Sequence, residues 1–599
     1  MRKYRKTVSI ALAFVLLLAV ATVATTLGAT AVPSDWRTAN GMVSAESGAL
    51  DRSTISSPGT EQADVAVADP AAWMKSKTAG KVPFFFFGSN GGLGEKDVQL
   101  VRAEPPFDTL ASYDNIPGTG GSWMYTSKDD RFFYVKTGAP YVVQIATSDF
   151  EMRKIYTQDY HSFVVSPDDK YMYTVNYAQG RILKHEIATG QVVKEVVWGQ
   201  TRSRAKGTYL VTVQGPAGGG SASALSPDGR YWYLTPEQPN ANHPEFKNIY
   251  VWKYDLQSDE IVGSVDVGAR AGAHMSNFIT PDGGTMFLNS FSGKYVKRIN
   301  LQTMTVEDTW EDASFDNSNW HAIHPEASGK RFWILLDKGE SGYAAVFDTG
   351  PGKLVDNLVG FVGPFPRDME SPTKRVLHMV EFTPDNKYAI TDNMYLDEAY
   401  VIDVEKLSVI KTINVGNARK GEALRHDWYG TDHPILSPDA KYFGVAVVYD
   451  NTYEIYDTET GELMQTVQFP ADTSTHYTRG WWPGYQMGNV LYTRTQPKAV
   501  PGSVSITPNQ QTALIPPQEL LGTLAAEVQP AAAPEATAGA AESTAVGKQL
   551  FEQKCNACHR APAVSEYPKW QGQLGPMSQG AGLSAEQLNQ VRQYLESAH

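Results

Sequence analysis

A short phrase recurs through the middle of this chain: Ser or Thr, then Pro, then Asp, then a run of β-branched and aromatic residues. It reads "SPDDKYMYTV" from Ser166, "SPDGRYWYLT" from Ser226, "TPDGGTMFLN" from Thr280, "TPDNKYAITD" from Thr383 and "SPDAKYFGVA" from Ser437. Two weaker copies keep the rhythm, "SKDDRFFYV" from Ser127 and "HPEASGKRFWILL" from His324. Anchors lie 39 residues apart at the closest (127 to 166) and 60 at the widest (166 to 226). The phrase is a turn, because Pro fixes φ at its second position and Asp or Gly closes it. Further strand-like runs follow, as in "RILKHEIATGQVVKEVVWG", where apolar residues flank a turn at Thr189-Gly190. One unit is therefore four short strands, repeated at the period of a β-propeller blade.

These units resemble the YVTN-type propeller repeat, whose consensus carries the same turn, over about residues 80–500. Before the first anchor lies a partial unit, "VPFFFFGSNGG" followed by "KDVQLVRAEPPFDTLASYDN". After the last lies a lone candidate inner strand near "STHYTRGWW". Joined, the two ends close one further blade and leave no strand edge open. The expected fold is thus an all-β propeller of seven or eight blades, eight favoured; a small all-α domain is expected to follow it.

The N-terminus sets the compartment. Four of the first six residues are Lys or Arg, and an apolar run from about Val8 to Leu27 leads to small residues at Ala29-Thr30-Ala31. This reads as an export signal over 1–31, with an uncleaved membrane anchor as the alternative. Residues 32–79 form a lead-in, 80–500 the propeller, and 501–542 an Ala/Pro-rich tether. Localisation is expected to be periplasmic or extracellular. A net charge of −13 without basic clusters beyond the signal argues against a nucleic-acid partner.

The chain has two cysteines, both in "KCNACHRAP". Cys555 and Cys558 followed by His559 form the attachment signature of c-type haem, two thiols for the vinyl groups and one imidazole for the iron. Leu550 and Phe551 precede the motif on one apolar face, and "GLSAEQLNQVRQYLESAH" ends the chain with a Ser584/Gln587 capping box and a Leu588, Val591, Leu595 stripe. The stretch 543–599 resembles the compact class I cytochrome c family. That resemblance makes Met577, 18 positions after His559, the second axial ligand, with His599 as a rival. A thioredoxin-like pair lacks its βαβ context here, and a zinc half-site lacks further cysteines.

Histidine is scarce in the propeller and recurs near the inner strands. His161 and His378 lie five residues before their anchors, His433 four and His274 six; His321 and His324 flank the degenerate copy, and His476 lies in the closing strand. His161, His378, His433, His476, His274 and His324 are candidate ligands of a metal, copper above all, on the propeller axis, with Asp432, Asp472 and Glu381 close by in sequence. The alternative is that they cap the channel mouth without a metal. His185, in an outer strand, and His243, in a loop, are expected to be solvated. The pairing of propeller and cytochrome is similar to copper-site propeller oxidoreductases of the thiocyanate dehydrogenase and nitrous oxide reductase kind. That resemblance implies a small-molecule substrate, one haem c and an external redox carrier. Two alternatives stay open: a haem d1 propeller of the cd1 nitrite reductase type, and a docking module whose haem is the one redox centre.

Overall fold

The computed structural model describes residues 69–521 except 90–96, 117–123, 158–159, 161, 177–180, 198–222, 236–248, 269–274, 291–293, 313–314, 316–321, 340, 367–375, 395, 417–430, 471–474, 483–484 and 488–501, and single positions between 587 and 595. The chain divides into two compact units, Met1–Gly522 and Thr523–His599.

The first unit is an eight-bladed β-propeller. Seven blades are consecutive four-stranded antiparallel sheets: blade 2 over 124–156, blade 3 over 162–197, blade 4 over 223–268, blade 5 over 275–310, blade 6 over 323–366, blade 7 over 380–414 and blade 8 over 431–468. Blade 1 joins the two ends. Thr475–Trp482 pairs antiparallel with Phe84–Ser89, which pairs with Val98–Arg102 and then Thr109–Tyr113. The ring is closed by hydrogen bonds between segments almost 400 residues apart in sequence, as the sequence repeat predicts.

The repeated phrase earns its residues through hydrogen bonding. At Ser166 the hydroxyl donates to Asp168 Oδ1 at 2.6 Å and accepts from Tyr171 N at 2.9 Å. Thr280, Thr383 and Ser437 make the same pair of bonds. The degenerate copy is anchored by Glu326, not His324. Glu326 N donates to Arg331 O and Gly329 N to Glu326 O, the backbone pattern of the other turns. Lacking a hydroxyl, Glu326 accepts from Trp333 Nε1 and pairs with Arg331.

Successive turns also gear into one another. The fourth residue of each lies at positive φ, and Gly229 and Gly329 press on the proline of the preceding turn, Pro167 and Pro281. Where that residue is Asp169 or Asn386, its side chain instead reaches the preceding turn, bonding Lys128 N and Glu326. Between the blades lie aromatic-rich layers, for example Phe287, Phe332 and Phe347 between blades 5 and 6. Each such ring buries on the order of 150–250 Å², several kcal/mol at about 25 cal/mol per Å².

Part of the stretch expected as a tether belongs to the propeller. Residues 502–521 run along the outside of blades 8, 7 and 6 and end in a short helix, Pro517–Leu520. These residues lie within the first unit, which ends at Gly522. In the second unit the described positions Gln587, Gln590–Arg592 and Tyr594–Leu595 are helical, with Val591 and Leu595 fully buried, matching the apolar stripe. Cys555, Cys558, His559 and Met577 lie outside the described residues, as does the N-terminal apolar run. No described helix is long and apolar enough to cross a membrane.

Candidate metal centre

In blades 2 to 8 the inner strand starts at one face of the ring and runs to its anchor turn at the other. Residues four and five positions before an anchor thus lie where inner strands begin. In blade 7 this places His378 just before the inner strand Val380–Phe382. In blade 8 it places Asp432 and His433 in the inner strand Thr431–Leu436.

That strand of blade 8 is bulged. Asp432 pairs with Ala446 and Ile435 with Gly444, so one extra residue is accommodated between them. His433 takes up the distortion in the left-handed region, at φ 49°. A β-carbon there costs about 1–2 kcal/mol, and Pro434 follows to fix the exit. The bulge turns the His433 imidazole toward blade 7. Its ring stands perpendicular to that of His378, centroids 4.7 Å apart.

Asp432 joins the two. His378 Nδ1 is hydrogen-bonded to Asp432 Oδ1, and His433 Nε2 lies 3.8 Å from the same oxygen. Among the described residues, His378, Asp432 and His433 form the one group whose ligand atoms all lie within 4.8 Å of one another. The carboxylate is fully buried and the imidazoles are 6% and 3% exposed. Two nitrogens and one oxygen at this spacing suit a divalent transition metal, and a carboxylate bonded to Nδ1 holds an imidazole for ligation through its other nitrogen.

Neighbouring residues frame the cluster. Thr431 Oγ1 donates to Asn393 O of blade 7, and Thr391 Oγ1 donates to Met379 O, fixing the backbone next to His378. Glu381 is buried in the inner strand of blade 7, opposite Ile390. His324 is buried on blade 6 but stands apart from the cluster. Its Nδ1 accepts from Val380 N at 3.4 Å, so it braces the strand that follows His378.

Of the six histidines singled out in the sequence, the structure thus brings two together, with Asp432 as the carboxylate between them. His161 and His274, like His321, His243 and Asp472, lie outside the described residues, and His476 is described by its backbone alone, in the closing strand of blade 1. His185 overturns its expectation of solvation. It is fully buried in the third strand of blade 3, 3.2 Å from Thr174 Oγ1, and burial holds its pKa below the ordinary value. Third-strand side chains pack between blades, so an outer position in the sequence of strands is not an exposed one.

Fold and cluster together define a β-propeller with a histidine–carboxylate centre at one end of its inner strands. No protein-family model and no curated protein matches the chain. Among solved structures it is similar to a dihydro-haem d1 dehydrogenase, NirN, in complex with DHE, at 14% identity over 71% of this chain and 80% of that one, with a TM-score of 0.50. A hydrazine synthase from Kuenenia stuttgartiensis aligns at 14% identity over 59% of this chain and 96% of that one, with a TM-score of 0.37. At 14% identity the likeness to the haem d1 dehydrogenase is one of fold.

Proposed function

We propose that this protein is an exported oxidoreductase in which a small substrate reacts at a metal ion held by His378, Asp432 and His433, with electrons passing through a tethered haem c to an external carrier. The observation that carries this reading is the buried cluster itself, two imidazoles and a carboxylate from adjacent blades with ligand atoms within 4.8 Å. Copper is the first candidate, since affinity for a nitrogen-rich site peaks there among the common divalent metals. When bound, the metal supplies a Lewis acid and a one-electron couple. The chain's own contribution is positional. Asp432 Oδ1 holds the His378 ring at Nδ1, so His378 would ligate through its other nitrogen and Asp432 through its other oxygen, while the bulge at residue 433 aims the second imidazole and the buried setting excludes bulk water.

The haem c part of the proposal rests on Cys555, Cys558 and His559, with Met577 as the second axial ligand. Export rests on the basic and apolar N-terminal run, which serves as a cleaved signal or as an anchor. The test of the site is copper(II) paramagnetic resonance on the full chain. The proposal expects a copper(II) signal with nitrogen hyperfine splitting that is lost in His378→Ala. A signal without nitrogen splitting, or one unchanged in that variant, would refute the assignment.

A second reading has one observation in its favour, the shared fold with a propeller whose name carries haem d1. In it, His378 or His433 would ligate the iron of a non-covalent tetrapyrrole. Acidified acetone separates the two readings, because it extracts such a pigment and leaves a thioether-linked haem behind. Protein with neither metal nor extractable pigment in its propeller would point to the docking module.

A further inference from the structure

The seam between blades 7 and 8 carries the metal cluster at one end and residues 502–521 at the other. At its inner end His378 of blade 7 meets Asp432 and His433 of blade 8. Its middle is an apolar layer with Tyr388, Ile390 and Val401 on one side and Leu436, Phe443 and Tyr456 on the other. Its outer end is plugged by Ile506, which is buried in the same layer and donates its N–H to Tyr388 OH at 3.0 Å.

The residues around Ile506 stitch the two blades to each other. Ser503 bonds Asp385 of blade 7 through both its N–H and its hydroxyl, at 2.8 and 2.7 Å. Val504 then donates to Asp439 O of blade 8 while its carbonyl accepts from Lys387 Nζ of blade 7. Thr507 N donates to Glu459 of blade 8. The segment returns to blade 7, where the Asn509 amide pairs with both backbone groups of Thr412 and Thr512 Oγ1 accepts from Val409 N. It finishes on blade 6, where Ile515 and Phe361 exchange backbone hydrogen bonds at 2.9 Å. Gly360, at φ 156°, makes room there, since a β-carbon would meet Ile515 O at 2.8 Å.

We infer that residues 502–521 are a clasp whose closure sets the geometry of the metal site. This rests on the proposed metal-site reading. The ligands come from two separate blades, so their spacing follows the packing of those blades. The clasp is a covalent segment bound to both. Coupling of this kind is reciprocal: a clasp that favours the ligating arrangement must itself be held more firmly when the metal is bound.

The test uses the full chain and copper(II) alone as the probe. Ile506→Ala opens the plug, and Asn509→Ala combined with Thr512→Ala frees the segment from the outer edge of blade 7 without touching the layer. Each should weaken copper binding about tenfold, within the usual range of coupling between sites. Lys338→Ala, which loosens the clasp's end on blade 6 through its bond to Leu520 O, should leave affinity unchanged. Copper should also slow amide hydrogen exchange across 502–521 in the wild type. Equal affinity in all variants, equal loss in the Lys338 control, or exchange insensitive to copper would overturn the coupling while leaving the site reading intact. A wild type that takes up no copper would sink both.

Discussion

The imidazole of His378 stands perpendicular to that of His433, ring centroids 4.7 Å apart, although the two residues belong to different blades. Two devices create this relationship. The repeat places both residues where inner strands begin, and a bulge in blade 8 lets His433 lean across the seam. A ring of plain repeats would hold neither the bulge nor the left-handed histidine.

Backbone strain at His433 gives a separable prediction. Glycine adopts φ 49° without a β-carbon penalty, which is about 1–2 kcal/mol at this position. His433→Gly should therefore fold at least as stably as the wild type while binding metal at least tenfold more weakly. Thermal unfolding and metal titration on the same preparation check the pair of outcomes. A marked loss of stability would mean that the imidazole serves the fold.

Asp169 predicts a pH dependence. Burial first, then the nearby Asp129 carboxylate, push its pKa from 3.8 up to about 7. In the unfolded chain this carboxyl loses its proton near pH 4, whereas the folded protein keeps it until about pH 7. The folded state thus binds more protons in that window, and the group's contribution to stability declines as pH rises from about 4 to about 7. Asp169→Asn should stabilise the protein by about 1–2 kcal/mol at pH 8 and by little at pH 4. Asn386 already occupies the equivalent position of its own turn at φ 60°, so the backbone tolerates the change. Denaturant midpoints at the two pH values decide.

The gearing of the turns is tested by two glycines at similar φ. Gly329 lies at φ 66° with Pro281 Cγ only 2.5 Å from where a β-carbon would stand, whereas Gly339 lies at φ 58° with nothing within 4 Å. Gly339→Ala should cost about 1 kcal/mol, the left-handed penalty alone. Gly329→Ala adds a clash with a ring that cannot yield and should cost about 2–4 kcal/mol. Equal costs would show that the turns do not bear on one another.

The haem is tested chemically. Full chain matured with a haem-attachment system should retain haem staining in a denaturing gel, and Cys555→Ala combined with Cys558→Ala should abolish it. Met577→Ala should remove the weak far-red thioether-to-iron band and lower the reduction potential. Staining that persists in the double variant would contradict the attachment.

Much of this was legible in the residues, for physical reasons. A turn that needs Ser, Pro and Asp in order leaves a mark wherever it is used, so the blades were countable and the two end fragments could be joined. His378 and Asp432 stand five residues before their anchors and His433 four, and that distance fixes where along an inner strand a residue stands. The bulge was not legible, because "TDHPILSPD" shows a Pro but not which partner residue is skipped. His185 misled because strand order alone does not say which face is covered. The 502–521 clasp was hidden by its composition. Ser503, Thr507, Asn509 and Thr512 bond to the blades through backbone and short polar side chains, leaving no apolar period to read.

The central claim is that His378, Asp432 and His433 hold a metal, and the measurement closest to it is the metal content of the purified full chain by elemental analysis. After copper-replete growth and gel filtration, the account predicts about one copper beyond the haem iron per chain. His378→Ala and His433→Gly should lose that copper and keep the iron, and Asp432→Asn should bind it about 10–100-fold more weakly. Wild-type protein carrying no metal but haem iron, or variants retaining copper at the wild-type level, would contradict it.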